Sequence, residues 1–187
     1  MATVGGIALA AGAGTRFRAA GGGIKLLARA GGRSLLEIAI DALADAELAD
    51  RVVVVGAHAD DVLSGTELRG VRAITNFAWG KGMASSLQAG LAALDASCDV
   101  ALVVLADAPN LAAEAVRRVA AEARTDALVS AAYDGRRGHP VAIGRELWDR
   151  LPLTGELGGK AIGAPDVLVE CGDLGEPGDA DTPDGMP

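Results

Sequence analysis

Aromatic and histidine side chains are scarce in this sequence. Phe, Trp and Tyr make up 3% of its 187 residues, and there are only 2 histidines. The apolar residues, 50% of the chain, must therefore build a core mainly from alanine, valine, leucine and isoleucine. The 2 cysteines, Cys98 and Cys171, stand apart and form no Cys-x-x-Cys pair. We predict buried free thiols in a reducing compartment rather than a structural zinc site.

Positive charge is also in short supply. Lys and Arg total 17 against 25 Asp and Glu, a net charge of −8. This balance argues against a general nucleic-acid binder, which needs a basic face. The N-terminus has no signal-peptide pattern, and no apolar run is long enough to span a membrane. We expect a soluble, cytoplasmic protein that binds neither nucleic acid nor membranes, with one domain over 1–187 and an acidic, Gly/Pro-rich tail from about 172.

Short apolar runs alternate with helical patterns along the chain. The predicted strands are 4–9, 51–55, 71–74, 100–105, 127–132, 139–143 and 167–171. The predicted helices are 34–46, opened by a Ser34–Glu37 capping box, and 59–68, 83–94, 111–124 and 145–151. Because the central strands are continuously apolar, the pattern predicts a mostly parallel sheet covered on both faces, a three-layer α/β/α Rossmann-like fold. In such folds ligands bind beyond the carboxyl ends of the strands.

A glycine-rich stretch, 9–25, follows the first predicted strand. It contains Arg16, Arg18 and Lys25 and no acidic residue. Backbone N–H groups and cations after a strand are typical of a phosphate site. The dinucleotide fingerprint fails because Phe17 stands in place of its third glycine, and a Walker A loop fails because apolar residues flank Lys25. The stretch therefore indicates neither a dehydrogenase nor a P-loop NTPase.

Five segments occur in an order that resembles one enzyme family. They are L-A-A-G-A-G-T-R-F from Leu9 with Lys25 beyond it, N-F-A-W-G-K-G-M-A-S-S-L-Q-A-G at 76–90, L-A-D-A-P at 105–109, G-R-R-G-H-P-V at 135–141 and D-A-D-T-P at 179–183. Together they resemble the nucleotidyltransferases, and within these the MobA/MocA-like molybdenum-cofactor nucleotidyltransferases. The resemblance covers nearly the whole chain.

The resemblance implies a Mg²⁺-dependent reaction in which an acceptor phosphate attacks the α-phosphorus of a nucleoside triphosphate and pyrophosphate leaves. Arg16, Lys25 and Asp107 would be the catalytic residues. Arg16 would contact the leaving phosphates and Lys25 the α-phosphate. Asp107 and Asp181 would hold Mg²⁺, with Asp179 as the alternative to Asp181.

The resemblance also implies which residues bind the two substrates. The nucleotide would contact Leu9, Ala10, Ala11, Gly12, Gly14, Thr15, Arg16, Lys25, Asn76, Gly82, Ser85 and Ser86. Arg136, Arg137 and His139 lie on a polar turn and would meet an anionic acceptor, such as the phosphate of a pterin. Trp79 would either stack on the nucleotide or wedge its loop.

Substrate preference rests on one position of the glycine-rich stretch. Guanylyl enzymes of the family tend to have glycine where this chain has Ala11, which favours CTP and transfer to a molybdopterin-type cofactor. A molybdoenzyme or its chaperone would then be a partner. GTP and other phosphorylated acceptors (a sugar phosphate, an isoprenoid-precursor phosphate or phospholactate) remain alternatives. So does a non-catalytic nucleotide-binding module, which the lengthened stretch 17–25 and the altered sequence after Thr182 would favour.

Overall fold

The computed structural model describes residues 2–156 and 162–183 of the chain. Its strands are β1 (Val4–Ala10), β2 (Arg29–Ala30), β3 (Arg33–Ser34), β4 (Asp50–Val55), β5 (Arg72–Thr75), β6 (Val100–Leu105), β7 (Leu128–Tyr133), β8 (Arg136–Gly144) and β9 (Val167–Glu170). Its α-helices are α1 (Thr15–Ala19), α2 (Leu35–Ala44), α3 (Ala59–Ser64), α4 (Met83–Ala93) and α5 (Ala113–Ala121). Short 3₁₀ turns cover Lys25–Leu27, Trp79–Lys81, Arg145–Arg150 and Gly172–Leu174.

Seven strands form one sheet in the order β5-β4-β1-β6-β8-β7-β9. Neighbouring strands are parallel except at β8, which runs antiparallel to both β6 and β7. The sheet is therefore mostly parallel, which confirms the predicted fold class. The strands β2 and β3 form a separate two-stranded hairpin.

Apolar side chains cover both faces of the sheet. Alternate residues of β1 point to opposite faces, so that Ala8 joins the cluster under α2 and α5 while Ile7 joins the cluster under α4. Helix α4 approaches β1 closely because Gly90 has no side chain: a Cβ there would lie 2.7 Å from Cγ2 of Ile7. The two clusters and the sheet between them give the three layers.

The predicted elements recur with shifted ends, except that the helix predicted over 145–151 is a 3₁₀ segment, Arg145–Arg150. A further short helix that the sequence suggests over 158–164 has residues 158–161 outside the described part of the chain. The capping box at the start of α2 is confirmed: Oγ of Ser34 accepts from the Glu37 N–H at 3.1 Å, and Oε2 of Glu37 accepts from the Ser34 N–H at 2.6 Å. The predicted helix 59–68 ends earlier, at Ser64 before Gly65, and the predicted helix 111–124 is shorter at both ends. The region between β1 and α2 is more ordered than predicted, because it contains α1, a 3₁₀ turn and the β2–β3 hairpin.

The carboxyl ends of the parallel strands β1, β4, β5 and β6 meet at one edge of the sheet. The glycine-rich stretch follows β1, Gly56 follows β4, Asn76 follows β5 and Asp107 follows β6. The fold thus gathers four separate segments at the edge where a parallel sheet binds its ligands. In the described part of the chain, no helix is both long enough and apolar enough to cross a membrane.

Candidate functional site

A cleft of about 500 Å³ opens at this edge. That volume lies within the range of small-molecule sites. Most of the predicted nucleotide residues line it. The lining residues are Leu9, Ala10, Ala11, Gly12, Ala13, Gly14, Thr15, Arg16, Phe17, Lys25, Leu26, Trp79, Gly80, Gly82, Met83, Ser86, Leu105, Asp107, Glu156, Asp179 and Asp181.

The glycine-rich stretch folds back on itself so that its two ends meet. Gly14 adopts a left-handed conformation (φ 59°) before α1, and a Cβ there would lie 2.9 Å from Cβ of Lys25. Phe17 of α1 is buried, and Gly22 passes so close to it that a Cβ would lie 2.3 Å from the Phe17 ring. The extra glycines therefore let the chain cross the Phe17 ring and return Lys25 to the lining of the cleft, beside Gly14. Gly12, in contrast, has nothing within 4 Å of its would-be Cβ.

Lys25 is the centre of a charged cluster. Its Nζ lies 2.7 Å from Oδ2 of Asp107, 3.1 Å from Oδ1 of Asp179 and 3.7 Å from Oδ1 of Asp181. Nη1 of Arg16 lies 2.6 Å from Oδ2 of Asp181. The Lys25 side chain is 12% exposed, whereas that of Arg16 is 80% exposed. The cluster therefore joins both cations of the glycine-rich stretch to three carboxylates.

The pKa of Lys25 is raised by this arrangement. Burial of the ammonium is the largest single influence and lowers the pKa, but hydrogen bonds and charges from Asp107 and then Asp179 together outweigh it. Lys25 is consequently a fixed positive charge at neutral pH. A fixed cation is suited to a phosphate group and not to proton transfer.

The carboxylates of Asp107, Asp179 and Asp181 fit a divalent metal that is shared with phosphates. All three have an oxygen within 4 Å of Nζ of Lys25, so the ammonium lies where the carboxylates share a cation. Within residues 2–156 and 162–183, no set of three or more His, Cys, Asp or Glu side chains forms a metal cage. Mg²⁺ needs no such cage, since it usually takes one or two carboxylates and completes its shell with phosphate oxygens and water.

Asn76 and Ser85 are not among the residues that line the cleft, and their contact with a nucleotide stays a prediction. The Asn76 amide is buried, its Nδ2 donates to Oγ of both Ser85 and Ser86 at 3.0 Å, and its Oδ1 accepts from the Ala78 N–H at 2.9 Å. Ser85 Oγ in turn donates to the Gly82 carbonyl at 2.8 Å. Both the donor and the acceptor group of the Asn76 amide are therefore engaged in hydrogen bonds that join the turn after β5 to α4. Gly82 and Ser86 do line the cleft, as predicted.

Trp79 packs against the backbone of Gly56 and also lines the cleft. A Cβ on Gly56 would lie 2.7 Å from Cβ of Trp79, 2.8 Å from the Ala11 carbonyl oxygen and 2.9 Å from Cβ of Ala11. Trp79, Gly56 and Ala11 are thus packed against one another without room for a methyl group. The Trp79 residue is still 39% exposed.

The predicted acceptor residues Arg136, Arg137 and His139 are outside the lining of the cleft. They begin β8, whose first residues lie at the same edge of the sheet because β8 is antiparallel. Arg136 pairs with Glu176, and Nη1 of Arg137 donates to the Gly163 carbonyl at 2.8 Å. Burial lowers the pKa of Arg137. These side chains therefore lie at the same edge of the sheet as the cleft but outside its lining, and their contact with an acceptor remains a prediction.

Sequence reasoning missed several members of the cleft. Glu156 comes from a segment without a recognisable motif, and the structure places it in the lining. Asp179 was only an alternative ligand, yet it contacts Lys25. Phe17 and Met83 also line the cleft. Both belong to the motifs quoted above, and that membership is the sequence signal that could have identified them.

Comparisons with known proteins agree with this geometry. Residues 6–168 match the MobA-like NTP transferase domain. A protein named nicotine blue oxidoreductase, from Paenarthrobacter nicotinovorans, is 34% identical over 196 residues, which cover 98% of this chain and 94% of that protein. A nucleotidyl transferase from Methanothermobacter (Mth528) superposes with a TM-score of 0.80 at 25% identity, over 97% of this chain and 93% of that one. Rv0371c from Mycobacterium tuberculosis H37Rv gives a TM-score of 0.78 at 22% identity, over 98% and 95%, and has also been solved with manganese.

Proposed function

Because this chain belongs to the MobA-like NTP transferase family, we propose that it transfers a nucleoside monophosphate from a nucleoside triphosphate to a phosphate-bearing acceptor. The observation that carries the proposal is the cluster in which Lys25 and Arg16 meet Asp107 and Asp181 beside the open backbone of Gly12. Cations and carboxylates at one edge of a glycine-rich loop match the two needs of phosphoryl chemistry, which are charge for the phosphates and oxygen ligands for a metal.

The residues act mainly by position and charge. An oxygen of the acceptor phosphate attacks the α-phosphorus, the bond from that phosphorus to the α,β-bridging oxygen breaks, and pyrophosphate leaves with the bond's electron pair. Lys25, held by Asp107 and Asp179, stabilises the charge on the α-phosphate. Arg16 is exposed and reaches the leaving β- and γ-phosphates. Gly12 leaves room for the backbone to approach the triphosphate.

Asp107 and Asp181 are the proposed metal ligands, and Asp179 lies beside them. A bound Mg²⁺ would neutralise phosphate charge and align the phosphate groups for in-line attack. Manganese in the complex of Rv0371c supports a divalent cation in this fold and does not single out Mg²⁺. The two carboxylates come from the end of β6 and from the C-terminal tail.

We infer CTP as the favoured nucleotide and a molybdopterin-type cofactor as the acceptor. A Cβ added at Gly56 would lie 2.9 Å from the Ala11 Cβ, so the Ala11 methyl occupies space beside Gly56 that a glycine at position 11 would leave open. The inference about the acceptor and about a molybdoenzyme or chaperone partner comes from the family resemblance. Another phosphorylated acceptor, GTP as donor and a nucleotide-binding module without turnover are the alternatives. We expect the reaction to take place in the cytoplasm.

A second candidate function is an oxidoreductase. It is favoured by the 34% identity to a protein that is named as one, over 98% of this chain. Hydride transfer gives no role to a lysine paired with three aspartates at the phosphate end of the cleft, and the dinucleotide fingerprint is broken at Phe17. We therefore place this candidate second.

One set of assays separates the candidates. The protein is incubated with Mg²⁺ and with CTP, GTP, ATP or UTP in turn, with and without molybdopterin, and pyrophosphate release is measured. NADH and NADPH consumption with a redox dye is measured in parallel without nucleoside triphosphate. Release that depends on the acceptor supports the transferase, dye reduction supports the oxidoreductase, and nucleotide binding without either supports the non-catalytic module.

A further inference from the structure

One alanine is fully buried in the C-terminal tail, although the tail's other described residues, 172–179 and 181–183, are partly or fully exposed. Ala180 is 0% exposed, whereas the side chains of its neighbours Asp179 and Asp181 are 61% and 45% exposed. Both neighbours contact Lys25, so the two carboxylates share one face of the segment and the Ala180 methyl points to the other. We name residues 177–181 the aspartate strap.

The aspartate strap is attached to the segment that carries Asp107. The Asn110 N–H donates to the Pro177 carbonyl at 3.0 Å, and the Ala180 N–H donates to the Asp107 carbonyl at 3.1 Å. The Ala180 methyl packs into a small apolar cluster with Ala30 and Leu35. The backbone of Ala180 therefore ties the strap to Asp107, the proposed metal ligand, and its methyl group ties the strap to the apolar cluster of Ala30 and Leu35.

We propose that Ala180 is a positioning residue that holds Asp179 and Asp181 against the cations of the phosphate loop and so couples metal binding to phosphate binding. The proposal rests on the proposed function. In the structure the carboxylates of the strap occupy Arg16 and Lys25, the same cations that a triphosphate needs. A metal that takes the carboxylates frees the cations for phosphate, and phosphate that takes the cations frees the carboxylates for metal.

Only a small side chain fits at position 180. Ala180 and Leu35 are 0% exposed and Ala30 is 5% exposed, and Ile38 packs against the same cluster, so a larger side chain at position 180 would meet these neighbours. Valine at this position would overfill the cluster. Two backbone hydrogen bonds hold the strap, and the Asp179 and Asp181 side chains are largely exposed, so the strap would yield before the core does and would carry both aspartates away from Lys25 and Arg16.

The test is Ala180→Val in the full-length protein, with two binding measurements that do not need turnover. Mn²⁺ affinity is measured by electron paramagnetic resonance, and pyrophosphate affinity by calorimetry in the presence of EDTA. We expect Mn²⁺ affinity to fall about tenfold, the size typical for loss of ligand support. We expect metal-free pyrophosphate affinity to rise about two- to fivefold, because Arg16 loses an exposed ion pair and Lys25 loses a competing carboxylate.

Opposite changes in the two affinities distinguish positioning from simple destabilisation. Ala127→Val is the matched control, since Ala127 is 1% exposed and lies before β7 at the opposite edge of the sheet. It should lower the unfolding free energy and leave both affinities unchanged. Ala180→Gly, which removes the methyl anchor without overfilling, should show both shifts in smaller size and replaces Ala180→Val if that variant does not fold.

Two results would overturn the inference, and they differ in what else they affect. If both affinities fall together in the Ala180 variants, or neither changes, Ala180 has no positioning role, while wild-type nucleotide binding leaves the proposed function intact. If the wild-type protein binds neither pyrophosphate nor any nucleoside triphosphate, the proposed function fails and the inference fails with it.

Discussion

Lys25 Nζ lies 2.7 Å from Asp107 Oδ2 although 82 residues separate them in sequence. The pair joins the loop after β1 to the end of β6, the two central strands that hydrogen-bond side by side. Asp179 and Asp181 add two more carboxylates, so that three negative charges surround the two positive charges of Lys25 and Arg16. A metal–nucleotide complex can therefore exchange partners with the cluster without leaving either a buried cation or a group of carboxylates uncompensated.

Asp107→Asn should abolish turnover and preserve the fold. The amide keeps the shape of the side chain but loses the charge that binds the metal and holds Lys25. We expect pyrophosphate release to fall by roughly 100-fold or more, as for other preorganised charged groups. Asp173→Asn is the control, because Asp173 pairs with Arg118 outside the cleft. Wild-type release from the Asp107 variant, or an equal loss from both, would remove Asp107 from the site.

Lys25→Met should increase the stabilisation that a divalent metal gives. Without the ammonium, Asp107, Asp179 and Asp181 lose their shared cation and repel one another, so the metal-free variant should have a lower melting temperature. Added Mg²⁺ or Mn²⁺ then binds folded protein more tightly and raises the melting temperature more than it does for wild type. Scanning calorimetry with metal and with EDTA measures the difference. Equal shifts in the two proteins would show that these carboxylates do not bind metal.

The sequence predicted the sheet and the charged residues of the site better than it predicted their supports. Strands such as β1 and β6 are continuous apolar runs, and that pattern is local. The burial of Ala180 cannot be predicted from a local pattern, because its partners Ala30 and Leu35 are about 150 residues away and the tail around it is rich in Gly, Pro and Asp. The motif that contains Asn76 predicts a contact with a ligand. The buried hydrogen bonds from the Asn76 amide to Ser85 and Ser86 appear only in the structure, because a sequence pattern does not show which side chains meet.

Tyr133→Phe should change how stability depends on pH in the alkaline range. Burial raises the pKa of Tyr133 to about 12, above the ordinary value of 10.0, and its hydroxyl donates to the His139 carbonyl at 2.8 Å. Between these two values the folded protein keeps the proton and the unfolded chain loses it, so stability falls as pH rises. Ionisation of Tyr133 lowers the unfolding free energy by about 2–3 kcal/mol in total once the pH has passed both pKa values.

Urea unfolding at pH 9 and pH 11 tests this prediction. At pH 9 the unfolding free energy of the wild type should exceed that of Tyr133→Phe by about 1 kcal/mol, which is the net contribution of the hydrogen bond that the variant lacks. At pH 11 the advantage should shrink or reverse, because phenylalanine has no proton to lose. Other alkaline groups, including Lys25, titrate in both proteins and cancel in the comparison. An advantage that stays constant with pH would mean that Tyr133 ionises as readily in the folded protein as in the unfolded chain.

Gly12, which lines the cleft, and Gly56, which packs behind it against Ala11 and Trp79, should respond in opposite ways to the same added methyl group. In Gly56→Ala the new Cβ would lie 2.7 Å from Cβ of Trp79 and 2.8 Å from the Ala11 carbonyl oxygen, so the loops must move apart. We expect a loss of about 1–3 kcal/mol in the unfolding free energy, the usual cost of overpacking. In Gly12→Ala nothing lies within 4 Å of the new Cβ, so stability should be unchanged or slightly higher.

The same two variants separate packing from phosphate recognition, because open space at Gly12 in the free protein is space that the proposed triphosphate needs. Gly12→Ala should therefore weaken pyrophosphate binding by about tenfold or more while its melting temperature holds, since a methyl group keeps the phosphate oxygens from the backbone N–H groups. Gly56→Ala should mainly lower the melting temperature. Its pyrophosphate affinity should fall only as far as the added methyl group displaces Ala11. Calorimetric titration with pyrophosphate and thermal unfolding of both variants measure the two quantities. Unchanged pyrophosphate affinity in Gly12→Ala would mean that the phosphates do not approach this backbone, and the cradle would then have to be sought around Arg16 and Lys25 alone.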